Sequence, residues 1–175
     1  MKFLFKVILF TSIVLLFIYF LELVYTSNRW RKYYTTDELL NYKRIIKSCK
    51  KLPFRFYNIY DSLHVGCRHK TMFNSYNAFI IRSEENCFSF YQKIYFALPA
   101  QLNEKNIEYP SWCLGWALST VLSPEECFDY YYNNILIDGG NFTVVGVDKA
   151  SLRFFKKDLT SLSDSEIIKL INIIG

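Results

Sequence analysis

The chain opens on an apolar run. No charged residue occurs in residues 7–21, and the run widens to 3–25 if Lys6 and Glu22 sit near the two faces of a bilayer. At 1.5 Å per residue, about 20 residues cross a hydrocarbon layer of roughly 30 Å, so this stretch is expected to be a transmembrane helix. A cleaved signal peptide ends on small residues, whereas this run ends Leu21-Glu22-Leu23-Val24-Tyr25; an uncleaved anchor is the expectation. Lys2, Lys6 and the amino terminus on one side face Arg29, Arg31 and Lys32 on the other. Flanking charge is therefore close to balanced, or leans towards a cytoplasmic domain.

Beyond the anchor, apolar positions recur at helical spacing. Thr35-Thr36-Asp37-Glu38 is a capping-box signal, followed by Leu39, Tyr42, Ile46 and Cys49 on one face. This basic juxtamembrane helix should end near Leu52-Pro53. Residues 53–76 read as irregular, with an alternation over 54–60 that predicts a short strand. The spacing of Cys87, Tyr91, Ile94, Tyr95 and Leu98 predicts a helix over 77–98, and that of Leu114, Ala117, Leu118 and Val121 another over 111–121. Ser123-Pro124-Glu125-Glu126 joins an N-cap serine, a first-turn proline and a glutamate three residues on, opening a helix to Asn133 or Asn134 that breaks at Gly139-Gly140. Residues 144–155 carry helical periodicity through Val147, Ala150 and Phe154, with Lys156 and Lys157 placed to complement the helix dipole. Ser163-Asp164-Ser165-Glu166 caps a last helix. The class is mainly α, divided into an anchor (1–25), the juxtamembrane helix (26–52) and one domain (53–175).

Composition adds little to this and charge somewhat more. An apolar fraction of 51% excludes disorder, and the 19% aromatic residues suit a domain at a membrane interface or an AT-rich coding sequence. Of the net charge of +5, much sits in residues 29–51: Arg29, Arg31, Lys32, Lys43, Arg44, Lys47, Lys50 and Lys51 against Asp37 and Glu38. Such a stretch beside an anchor attracts anionic lipid, at about 1 kcal/mol per residue near the surface, or is a solvated helix face. No nucleic-acid-binding motif accompanies it. The five cysteines have no paired spacing and read as small buried hydrophobes, without a disulfide framework or zinc site.

Candidate chemistry is sparse. His64, Cys67 and His69 lie within six residues but match no metal-ligand spacing, and read as a polar loop. Asn141-Phe142-Thr143 fits a glycosylation sequon. Glu84 and Glu85 fall in a largely apolar predicted helix, either as two solvated residues or with a carboxylate of raised pKa that acts as a general acid or base.

Two segments carry a family resemblance. Residues 122–140 read LSPEECFDYYYNNILIDGG, and 142–170 read FTVVGVDKASLRFFKKDLTSLSDSEIIKL. Together they resemble the second half of the family 51 glycosyltransferase domain of peptidoglycan glycosyltransferases and penicillin-binding proteins. Asp129, Tyr131 and Asn133 fall on the family's Glu, Tyr and Asn; Gly146, Ala150, Phe154, Phe155, Lys157, Leu162 and Glu166 keep the order of its following pattern. Residues 79–88 (FIIRSEENCF) are similar to the segment that bears the family's catalytic carboxylate, on which Glu84 falls, with Glu85 and Phe88 beside it.

The resemblance implies a lysozyme-like α-helical domain on the outer face of a bacterial inner membrane. It implies that Glu84 is the general base that deprotonates the acceptor sugar hydroxyl attacking a lipid-pyrophosphate-linked donor. It also implies substrate-binding roles for Glu85, Phe88, Asp129, Tyr131 and Asn133, a divalent cation (Mg or Mn), and cell-wall synthesis proteins as partners, with no nucleic acid. The departures are substantial. The family's glycine-serine-threonine-glutamine motif is missing, and Phe88 and Leu122 are only about 34 residues apart, roughly half the family's spacing. Ile107-Glu108-Tyr109-Pro110-Ser111 stands where a basic motif ending in glutamate belongs, which leaves Glu108 as a substitute carboxylate and removes the pyrophosphate-binding cations. The alternative to an active enzyme is a catalytically impaired relative that serves as a binding or regulatory module.

Overall fold

The computed structural model describes residues 2–81, 88–99, 110–140 and 142–174. It is mainly helical. Helix α1 (Lys2–Asn28) is long and apolar enough to cross a membrane, with none of its apolar window buried against the rest of the chain. A single 3-10 turn (Arg29–Lys32) links it to α2 (Thr36–Lys47). There follow α3 (Phe54–Leu63), a 3-10 turn at Cys67–His69, α4 (Met72–Ile81), α5 (Phe90–Ala97), α6 (Pro110–Leu118) and α7 (Pro124–Asn134). A two-stranded antiparallel hairpin, β1 (Leu136–Asp138) with β2 (Thr143–Val145), pairs Ile137 with Val144 and leads into α8 (Val147–Phe155) and α9 (Asp164–Ile174).

Three capping boxes fix helix starts. The Thr35 and Ser123 side chains accept the Glu38 and Glu126 backbone N–H groups, and each glutamate accepts its cap residue's N–H in return. At α9, the Ser163 N–H donates to Glu166 Oε2 at 2.8 Å and the Glu166 N–H to Ser163 Oγ at 3.4 Å. Each cap satisfies donors that the first turn would otherwise leave open, worth about 1 kcal/mol.

The core sits where α5, α6 and α7 meet. Phe90, Ile94, Leu114, Leu118, Phe128 and Tyr132 are all essentially inaccessible. Phe128 stands at its centre, its ring 4.7 Å from Phe90, 4.8 Å from Tyr60 and 4.8 Å from Tyr132 by centroid. Burial of each such side chain contributes roughly 1.5–3 kcal/mol, and edge-to-face contact adds to it. Leu39, Tyr42 and Ile46 of the juxtamembrane helix α2 belong to this same core.

Several expectations are corrected. Residues 54–60 form the first part of α3, not a strand: Phe56 and Tyr60, one turn apart, both enter the aromatic core, and Arg55 reaches the Leu162 carbonyl at 2.9 Å. Phe54, which completed the apparent alternation, is 77% exposed. The helix expected over 77–98 is interrupted. Helix α4 already begins at Met72, inside the stretch read as irregular, and Ser89 is extended (φ −63°, ψ 150°) before α5 starts. The helix expected from 144 begins at Val147, because Thr143–Val145 pair as β2.

The cysteines are corrected as well. Cys113 and Cys127 are buried thiols and Cys49 is a half-buried one, but Cys67 is disulfide-bonded. Disulfide partners are chosen by distance in space, which linear spacing does not report.

Candidate functional site

Helix α7 aligns Asp129 and Asn133 one turn apart on the face that meets residues 50–53, the linker between α2 and α3. Asp129 Oδ1 accepts the Tyr57 hydroxyl in a short hydrogen bond and the Leu52 N–H at 3.4 Å. The Asn133 side-chain amide donates to the Lys50 and Asp129 carbonyls, each at 2.8 Å. Burial pushes the Asp129 carboxyl up from the usual range, opposed by the Tyr57 hydrogen bond. Both side chains are therefore occupied in pinning the linker to α7. Tyr131 points elsewhere: it is buried, its ring 5.7 Å from Phe90 and 5.2 Å from Tyr132.

Glu84, Glu85 and Glu108 lie outside the described residues, and so does Asn141 of the sequon. The chain re-enters at Phe88, which is 57% exposed. The next residue is firmly held: the Ser89 N–H donates to Ser75 Oγ at 3.0 Å, and Ser89 Oγ lies 3.2 Å from Met72 Sδ. These contacts join the start of α5 to the start of α4, the two helices on either side of the Glu84–Glu85 segment.

One turn into α5 stands Lys93, which the sequence reading passed over. Its ammonium lies 5.0 Å from the centre of the Phe90 ring and 5.5 Å from that of Tyr131. Among the described residues no carboxylate pairs with it. Burial pulls its pKa down. The aromatic faces attract the cation but offer much less than a carboxylate would. His64, at the end of α3, packs against Tyr60 with 4.8 Å between ring centres. Its pKa is lowered, by burial first and by Lys93 second. Lys93 and His64 thus share a half-buried, largely aromatic face made by α3, α5 and α7. The available signal was one lysine beside one glutamine in a mostly aromatic and apolar helix (FYQKIYFA), which looks the same in sequence as a solvated position.

The other loop candidates are engaged in pairing. His69 pairs with Glu125 through Nδ1, and Arg68 holds Asp61 through two nitrogens at 2.6–3.1 Å while its guanidinium lies over Tyr57. Cys67, in its disulfide, presents no thiolate. No cluster of three His, Cys, Asp or Glu side chains forms among the described residues.

No family model matches this chain, and neither does any curated protein or solved structure.

Proposed function

We propose that this chain is a membrane-anchored relative of the family 51 glycosyltransferases that engages a lipid-linked disaccharide-pyrophosphate in bacterial cell-wall synthesis. In the reaction, the acceptor hydroxyl attacks the donor's anomeric carbon. Its proton passes to Glu84, the new glycosidic bond forms, and the lipid pyrophosphate leaves with the bonding electron pair. That leaving group requires nearby positive charge. The observation that carries the reading is Lys93, a half-buried cation without a carboxylate among the described residues, on the helix that follows the Glu84 segment. It supports a source of positive charge where the family's basic motif is missing. Helix α1 supports placement at a bilayer, and the disulfide at Cys67 favours an oxidising compartment, hence the outer face.

The second reading, binding without turnover, is favoured by the occupation of Asp129 and Asn133 in structural bonds. One experiment separates the two. Full-length protein in nanodiscs is given a labelled lipid-linked disaccharide-pyrophosphate, beside Glu84→Gln and Lys93→Met. Polymer lost in Glu84→Gln supports the enzyme, saturable binding without polymer supports the module, and absence of binding at high micromolar substrate refutes both.

A further inference from the structure

Helix α4 meets α1 within the stretch that a bilayer would occupy. The Tyr19 hydroxyl donates to the Asn77 side-chain oxygen, and the Tyr19 and Tyr76 rings are 6.3 Å apart. The Tyr76 hydroxyl lies within electrostatic reach of Glu22 and Thr26, one and two turns beyond Tyr19 on α1.

Length sets the level of this contact. About 20 residues are needed to cross a hydrocarbon layer of roughly 30 Å. Counted from Phe3 they end at Glu22, and counted back from Tyr25 they begin at Lys6. Tyr19 falls inside both spans, about 4–9 Å below the boundary nearest the domain. A boundary placed before Tyr19 would leave residues 3–18, about 24 Å of helix, which falls short of the layer. It would also put Phe20, Leu21 and Val24 in water. These side chains are 41–58% exposed, on faces of α1 that the domain leaves bare.

Burial and composition give the direction of α4. Its first residue, Met72, is 1% exposed and belongs to the core, its Sδ 3.2 Å from Ser89 Oγ at the start of α5. Thr71 and Asn74, at this end, are exposed and polar. Five residues after Met72 the helix reaches Asn77 at the level of Tyr19, and Ala78-Phe79-Ile80-Ile81 completes it. No charged residue occurs in α4, and Phe73 is 45% exposed. A phenol hydroxyl and a side-chain amide are each costly alone in hydrocarbon; pairing them across two helices removes part of that cost.

We propose that the C-terminal half of α4, from Asn77 to Ile81, is embedded in the hydrocarbon of the leaflet nearest the domain. Lipid acyl chains pack against it, and the Tyr19–Asn77 hydrogen bond holds it to α1. The domain is thus seated in the bilayer by two helices rather than tethered by one. This does not rest on the glycosyltransferase reading, and loss of turnover in Glu84→Gln or Lys93→Met leaves it untouched.

The test uses the full chain in vesicles of palmitoyl-oleoyl phosphatidylcholine. The unmodified protein is first photolabelled with phosphatidylcholine that carries a diazirine in its acyl chain, and the adducts are mapped by mass spectrometry. They should fall on α1 and on the peptide containing residues 77–81, and not on the charged helix α8. A fluorescent amino acid is then placed at Ala78, at Phe20 or at Leu152, which is 49% exposed on α8. Phosphatidylcholine with a nitroxide near the top of its acyl chain should quench the probe at Ala78 as strongly as at Phe20, and several-fold more than at Leu152. Adducts confined to α1 would overturn the proposal, as would a probe at Ala78 quenched no more than one at Leu152. The photolabelling needs no substitution, so it remains decisive if the probe at Ala78 disturbs folding.

Discussion

Replacing Gly146 with alanine tests the joint between α7 and α8, where the chain leaves the hairpin. Gly146 adopts φ 80° and ψ 156°, a conformation that costs a residue with a side chain about 1–3 kcal/mol. A Cβ there would lie 2.2 Å from the Asn133 carbonyl oxygen and 2.8 Å from its carbon. Both are backbone atoms at the end of α7, so one of the two segments must move. Movement would strain the hydrogen bond from the Gly146 N–H to the Ile135 carbonyl (3.0 Å), worth about 0.5–1.5 kcal/mol net. Restricting the unfolded chain returns about 0.4–1 kcal/mol. Including the clash, the expected loss is about 3–5 kcal/mol, or a Tm lower by about 6–20 °C for a chain of this size.

Gly140 is the control. Its φ is 81°, but nothing lies within 4 Å of the position a Cβ would take. Gly140→Ala should therefore cost only the left-handed penalty of about 1–2 kcal/mol, partly offset in the unfolded state. Circular-dichroism melts of the full chain in detergent would compare the two variants. Equal losses, or a loss below about 1 kcal/mol for Gly146→Ala, would refute the close approach of α7 and α8 at this joint.

Further expectations concern the core, the linker and the response to acid. Phe128→Ala should cost about 3–5 kcal/mol in chemical denaturation, since the ring is fully buried among Phe90, Tyr60 and Tyr132; a loss under 2 kcal/mol would place the core elsewhere. Asp129→Ala should lose about 1–3 kcal/mol by stranding the Tyr57 hydroxyl as a donor, the Leu52 N–H keeping the Tyr57 oxygen at 3.1 Å, while Asp129→Asn keeps an acceptor and should lose little. Because burial raises the Asp129 pKa, the wild type should gain stability relative to Asp129→Asn as pH falls through the folded pKa towards the unfolded value of 3.8. Glu166 runs the other way: Lys157 and then Ser163 hold its carboxyl down at about 2. Its contribution should be full above the unfolded value of 4.5 and fade as pH drops towards 2, so urea midpoints of Glu166→Gln and wild type should converge in that window.

Features governed by neighbours in the chain were legible from the sequence. The spanning helix is a matter of composition and length, and the three capping boxes are hydrogen bonds across three residues. The end of α7 and the turn at Gly139-Gly140 were visible for the same reason. The mainly helical class followed from periodicity. Errors arose where two periods coincide. Phe54, Phe56 and Tyr60 fit alternation as well as a helical turn, and only the aromatic face supplied by Phe128 and Tyr132 selects the helix. The break at Ser89 depends on Ser75 and Met72, from another helix.

The candidate sites divide in the same way. A family-like pattern drew attention to Asp129 and Asn133 but could not show that a linker some 80 residues upstream occupies them. Lys93 became noticeable only because folding places it on two aromatic rings with no carboxylate among the described residues. Tyr76 and Trp116 look like ordinary interfacial aromatics until folding buries the Tyr76 hydroxyl and the Trp116 indole N–H. By itself the sequence determined where the three capped helices begin and which segment can enter a bilayer, because those depend on local hydrogen bonding and hydrophobicity. Which polar groups are desolvated was decided only by tertiary structure, because desolvation depends on atoms distant in the chain.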